Sequence, residues 1–195
     1  MQSPFLPENI AFKEWSLVCD ALRDGDQSIL LRKGGISEGR GGFSFSHPSF
    51  WFFPTFFHDQ LEGVIESRLP SDPEALAEAP DMGAPVEFDL AAELMARGRI
   101  DSWEQVEALD GLHILKESVL KERFEYEEDR CLWIAVVRVY RASPVRTEPM
   151  SPKFKGCRSW IQLPEPESYA LSPVLANDVF GEQLEKVRQV VPNLS

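Results

Sequence analysis

Cys131 to Tyr140, CLWIAVVRVY, is the stretch that most limits the folds open to this chain, being nearly continuous apolar sequence with β-branched residues through its middle. A run of this kind predicts a strand at the centre of a sheet, covered on both faces. The neighbouring segments must supply its partners. Ser28 to Lys33 reads as a short strand running into Gly34 and Gly35, and Phe50 to Phe57 as a second strand in which Pro54 implies an edge or a bulge. Val86, Phe88 and Leu90 alternate with acids in a strand that runs toward Met95 and ends before Gly98, and Lys153 to Leu163 returns as a loop and a last strand.

Helical spacing occupies the flanks. Phe12, Trp15, Val18, Cys19 and Leu22 fall at steps of three and four and predict a helix over Ala11 to Arg23. Short helices follow at His58 to Leu69, behind a capping-box pattern from Ser102 to Gln105, and at Glu117 to Tyr126, where Val119, Leu120 and Arg123 share a face. A last helix carries Phe180, Leu184, Val187 and Val191 on one side, with Asn177 as its expected cap. These elements predict one globular α+β domain over residues 1–195, built on a mixed, curved sheet or a partly open small β-barrel with flanking helices. Within it, residues 70–85 are rich in proline, alanine and acids, without apolar periodicity, and read as an exposed connection or insertion.

Phe43 to His58, FSFSHPSFWFFPTFFH, packs eight aromatic rings and two histidines into sixteen residues. Most of these rings must fill the core. Alternation sends them to two faces, so either both faces are covered or one offers an open stacking surface. An open face beside Arg32 and Lys33 would suit nucleic-acid bases, each stacked base contributing about 1–3 kcal/mol.

The chain carries a net charge of −12, which lowers the prior for a generic nucleic-acid or anionic-lipid partner. Its distribution is uneven. Acids dominate from Asp59 to Arg130, whereas Arg32, Lys33 and Arg40, then Arg138, Arg141, Arg146, Lys153, Lys155 and Arg158, bracket that segment. A local basic face on an acidic protein follows if the two basic segments meet. Three cysteines without a CxxC pair suit a reducing compartment. With no basic leader and no long apolar run, the expectation is a soluble, cytoplasmic protein without a membrane partner.

Familiar catalytic signatures are absent. There is no GxxxxGK[ST] loop, no GxGxxG fingerprint and no HExxH, and no lysine has an acid two positions upstream as in a restriction-type nuclease core. No metal or cofactor is expected. Cys157, flanked by Lys155 and Arg158, and the histidines His47 and His58 are the candidate catalytic residues, each with a plain alternative as a packing or backbone-bonding residue. The candidate ligand-binding set is Arg32, Lys33, Gly34, Gly35, Trp51, Arg138, Arg158 and Trp160, chosen for basic side chains at strand ends, glycines that admit a ligand close to the backbone, and aromatic stacking.

Taken together, Lys13-Glu14-Trp15, ILLRKGGI at 29–36, HPSFWFFPT at 47–55, VRVYR at 137–141 and KGCRSWIQL at 155–163 resemble a bacterial family described as domain of unknown function 1802. The resemblance runs from about Ala11 to Val187 and implies no activity. The succession of helix, glycine turn, basic strand, barrel-like strands and late basic strand is also similar to the PUA and ASCH group of small barrels. That likeness implies a cleft for RNA or modified nucleotides lined by Arg32, Lys33 and Arg158, with Trp51 or Trp160 as the stacking surface. Three functions are therefore carried forward: a binding module for a nucleotide, RNA or single-stranded DNA; an enzyme on a phosphorylated or nucleic-acid substrate using His47, His58 and Lys33; and a protein-binding adaptor working through the acidic middle segment.

Overall fold

Strand β5, Leu132–Pro149, is second from one edge of the sheet and interior to it, paired with β4 on one side and with β2 and β7 on the other, so the apolar run of its first half is enclosed. The computed structural model describes residues 6–33, 44–57, 59–72, 79–126, 128–165 and 168–195. In chain order the other elements are β1 (Ile10–Trp15), α1 (Ser16–Asp24), β2 (Ile29–Arg32), β3 (Ser49–Thr55), α2 (Asp59–Gly63), β4 (Pro85–Ile100), α3 (Trp103–Glu107), α4 (Glu117–Glu125), β6 (Trp160–Gln162), β7 (Ala170–Pro173) and α5 (Asn177–Val190). The sheet order is β2-β5-β4-β3-β1-β6, with β7 pairing beside β2 along β5. β1 and β3 are parallel and every other pair is antiparallel, so this is an α+β fold on a mixed sheet that does not close into a barrel.

The long β4–β5 hairpin carries the curvature. Its register shifts between Phe88 and Leu90 and again between Leu94 and Ala96, and such bulges bend and twist a ribbon. β4 runs through Gly98 to Ile100 instead of stopping before the glycine. A Cβ there would stand 2.9 Å from the Leu194 side chain, so the glycine lets the C-terminal segment pack directly on the strand.

Both faces of the sheet are covered, which settles the fate of the aromatic run. Phe50 and Phe52 point into the larger core with Phe12, Ile134 and Val136, under α1, α4 and α5. Trp51 and Phe53 point the other way, into a second core closed by Phe88, Tyr140, Phe154, Ile161 and Leu171. Trp51 has no accessible surface. Pro54 falls where β3 has lost its β4 partner and keeps only β1, consistent with its missing donor.

Two local readings are corrected. The helix expected over Ala11 to Arg23 begins only at Ser16; Ile10–Trp15 is a strand, because pairing with β3 on one side and β6 on the other satisfies its backbone. Asn177 is the first residue of α5 and not its cap, Ala176 holding the cap position, while its side chain accepts a hydrogen bond from Arg138 at 2.6 Å. Ser102 caps α3 as its pattern indicated, accepting from the Gln105 amide at 3.3 Å. Among the described residues no helix is long and apolar enough to cross a membrane.

Candidate functional site

Where β1 ends at Trp15 and β2 ends at Arg32, the sheet edge, α2, α4 and the segment before β6 enclose a cavity of about 800 Å³. Such a volume lies within the range of small-molecule sites. Trp15, Arg32 and Arg123 line it from the sheet and α4, and Cys157 and Ser159 from the segment that leads into β6. Asp59, Glu62 and Glu122 add carboxylates, and the largely exposed ring of Tyr126 lies at its edge. Gly63 permits this arrangement: a Cβ there would meet the Trp15 ring at 2.7 Å and Val119 at 3.0 Å.

The two guanidinium groups define the electrostatics. Arg123 lies over the Trp15 ring, 4.9 Å from its centre, and its Nη1 donates to the Leu31 carbonyl at 2.9 Å. Burial first, then repulsion from Arg32, pushes its pKa down to about 10, with Glu14 and Glu122 opposing. Arg32 lies over the Phe12 ring at 5.1 Å and stands 3.6 Å from the buried carboxylate of Glu14, which is anchored by the Trp15 amide at 2.9 Å. Glu14, paired with Arg32, and Glu122 thus oppose the repulsion between the two guanidinium groups, which line the cavity together.

Lys33 lines the same cavity, but its ammonium donates to the carbonyls of Phe124, Asp129 and Cys131. Favourable for a cation at a helix C-terminus, these bonds tie β2 to the end of α4. Lys13 is buried on the opposite face of β1, where its Nζ donates to the Gly156 carbonyl at 2.8 Å and lies 5.8 Å from the centre of the Phe53 ring. Burial lowers its pKa, with Cys157 acting in the other direction.

The two segments meet at this cavity, through Arg32 and Lys33 on one side and Cys157 and Ser159 on the other, but the later one brings no basic side chain to the lining. Arg158 is exposed between those last two residues and is not part of the lining. The expected aromatic partners are elsewhere. Trp51 is enclosed in the second core, with the Arg146 guanidinium over its ring at 5.5 Å, so it offers no stacking face. Trp160 is half-buried and engaged by Phe12, Phe50 and His47, at centroid distances of 4.8, 5.1 and 4.7 Å. Arg138 belongs to another surface, lying over Phe180 and bonded to Asn177. His47 pairs with Glu8 at 2.8 Å and does not line the cavity. His58, Gly34 and Gly35 lie outside the described residues. Cys157 lines the cavity as an exposed thiol. Among the described residues no group of three or more ligating side chains could hold a metal ion.

Trp15, Glu14, Arg123 and Tyr126 were missed as site residues. Arg123 carried the clearest sign, a guanidinium at apolar spacing on α4, since a cation on a buried face needs a partner or a purpose. Glu14 and Trp15 were hidden by the helical reading of their segment.

Solved structures similar to the chain include ASCH from Zymomonas mobilis, at 12% identity and a TM-score of 0.46 over 95% of each chain. A tyrosine-to-phenylalanine mutant of that protein matches at 13% identity and a TM-score of 0.44, over 95% of this chain and 98% of the other. No curated protein matches. The family model described as Domain of unknown function (DUF1802) matches residues 11–186, and the chain belongs to that family.

Proposed function

We propose that the cavity binds a nucleotide unit, free or within a single strand, with its phosphate at Arg32 and Arg123 and its base against Tyr126. The observation that carries this reading is that Arg32 and Arg123 line one cavity, near enough for the charge of Arg32 to lower the pKa of Arg123. An anion placed there relieves their repulsion and accepts the forked, charge-assisted bonds that arginine makes to phosphate.

The surrounding carboxylates fit the same ligand. Asp59 and Glu62 can accept hydrogen bonds from the exocyclic amino group of a base, as carboxylates do from cytosine. They also disfavour a long polyanion, and the net charge of −12 works in the same direction. A mononucleotide or a few nucleotides of a single strand fits better than a duplex.

Calorimetric titration with a nucleoside 5′-monophosphate, the parent nucleoside and inorganic phosphate tests this. The monophosphate is expected to bind more tightly than either fragment, and more weakly as salt rises. Equal affinity for nucleoside and nucleotide, or no binding by any of the three, overturns it. A short single-stranded oligonucleotide added to the series distinguishes a free nucleotide from a strand.

A further inference from the structure

A second pocket, of about 220 Å³, opens between α3 and α4, apart from the cavity above. Val106, Leu115 and Leu120 form its apolar base and Trp103 contributes a half-buried indole. Glu107, Asp110 and Glu117 line it with three exposed carboxylates, none of which forms a salt bridge or side-chain hydrogen bond among the described residues. His113 also lines it. The imidazole is 8% exposed, and among the described residues neither ring nitrogen has a hydrogen-bond partner of good geometry, the backbone of Leu115 and of His113 itself lying near it only as weak partners.

Each of these features is costly without a ligand. A buried polar ring that is only weakly bonded is unfavourable, and three neighbouring carboxylates repel one another. A cationic N–H donor relieves both at once. The volume lies below the usual range of about 300–1,000 Å³ for drug-sized ligands, which points to a single side chain. Trp103 favours a planar guanidinium, which stacks on aromatic faces, over a strongly hydrated ammonium.

We propose that this pocket is a docking site for an arginine side chain of a partner protein, with the guanidinium against Trp103, an N–H donated to His113 and the charge met by Asp110, Glu107 and Glu117. The segment from Asp59 to Arg130, in which the pocket lies, is the acidic part of the chain, so charge complementarity draws a basic partner to this surface. Burial lowers the pKa of His113 and so keeps its ring neutral, with an acceptor nitrogen; among the charged groups around it, Asp110 raises that pKa and Arg123 lowers it.

NMR titration of the whole chain with N-acetyl-arginine amide, following the His113 imidazole and Trp103 indole signals, tests the proposal. Saturable shifts of both signals are expected, with affinity falling roughly two- to fivefold for each of Asp110→Asn and Glu117→Gln, as for partly exposed ion pairs. The isosteric, uncharged citrulline analogue should leave the signals unmoved. Absence of a saturable shift, an equal response to citrulline, a stronger response to the lysine analogue, or unchanged affinity in both variants overturns it. Nucleotide binding is read separately at Arg32 and Arg123, so either result stands without the other.

Discussion

The Arg123 guanidinium lies over the indole of Trp15 and donates to the backbone of β2 at Leu31, so that one side chain joins α4, β1 and β2 at the floor of the cavity. Arg123→Met keeps the apolar stem and removes the charge. The lost bond to Leu31 is partly offset by relief of the repulsion from Arg32, so urea denaturation should show a net change below about 2 kcal/mol. Nucleotide affinity, measured on the same folded protein, should fall by about tenfold or more, equivalent to about 1.4 kcal/mol.

Trp51 separates the core reading of the aromatic run from the stacking reading. Trp51→Ala is expected to cost about 3–5 kcal/mol of stability, as for a fully buried aromatic ring. The surviving folded fraction should bind nucleotide with unchanged affinity. A variant of normal stability and weakened binding would return Trp51 to the site.

Much of the fold was legible because the chain states it locally. The apolar run of β5 marked an interior strand, though one next to the edge and not at the centre, and the Ser102 cap and the periodicity of α5 declared themselves. The first strand was not legible, since Phe12 and Trp15 keep helical spacing with Val18 and Leu22, and only pairing with the distant β3 and β6 makes Ile10–Trp15 extended. The candidate site was half legible for the same reason. Arg32 could be named from a strand end, but the cavity joins it to Arg123 and Trp15, residues far apart in sequence whose meeting depends on the sheet order. Trp51 and Arg138 lie away from this cavity, in the second core and beside α5, because residue type does not reveal where on a doubly covered sheet a side chain ends up.

Gly63→Ala probes the close approach to Trp15. With ring carbons 2.7 Å from the added methyl, either the indole or α2 must shift, at a cost of about 1–3 kcal/mol. The cavity wall moves with it, so thermal denaturation and nucleotide titration should both register the change. A methyl accepted without effect on either would mean that Trp15 is free to move.

His113 gives the fold a specific acid sensitivity. Burial depresses its pKa in the folded chain, whereas the unfolded chain takes up the proton near the ordinary value of about 6.5. Between these values the unfolded state binds more protons, so this contribution to stability is complete above about pH 6.5 and is lost as pH falls through the folded value. Comparing urea midpoints at pH 7.5 and 5.5, the native chain should lose more stability than His113→Gln. Equal losses would contradict the burial of a neutral ring.

The most direct measurement is the affinity of a nucleoside 5′-monophosphate for Arg32→Ala set beside Arg138→Ala, with Arg32→Lys included because the alanine variant leaves the buried Glu14 carboxylate without its cation. A loss of about tenfold or more at Arg32, partial recovery with lysine and no change at Arg138 is the expected result. Native affinity in both Arg32 variants, with the fold intact by circular dichroism, would contradict the assignment of this cavity to a phosphate-bearing ligand.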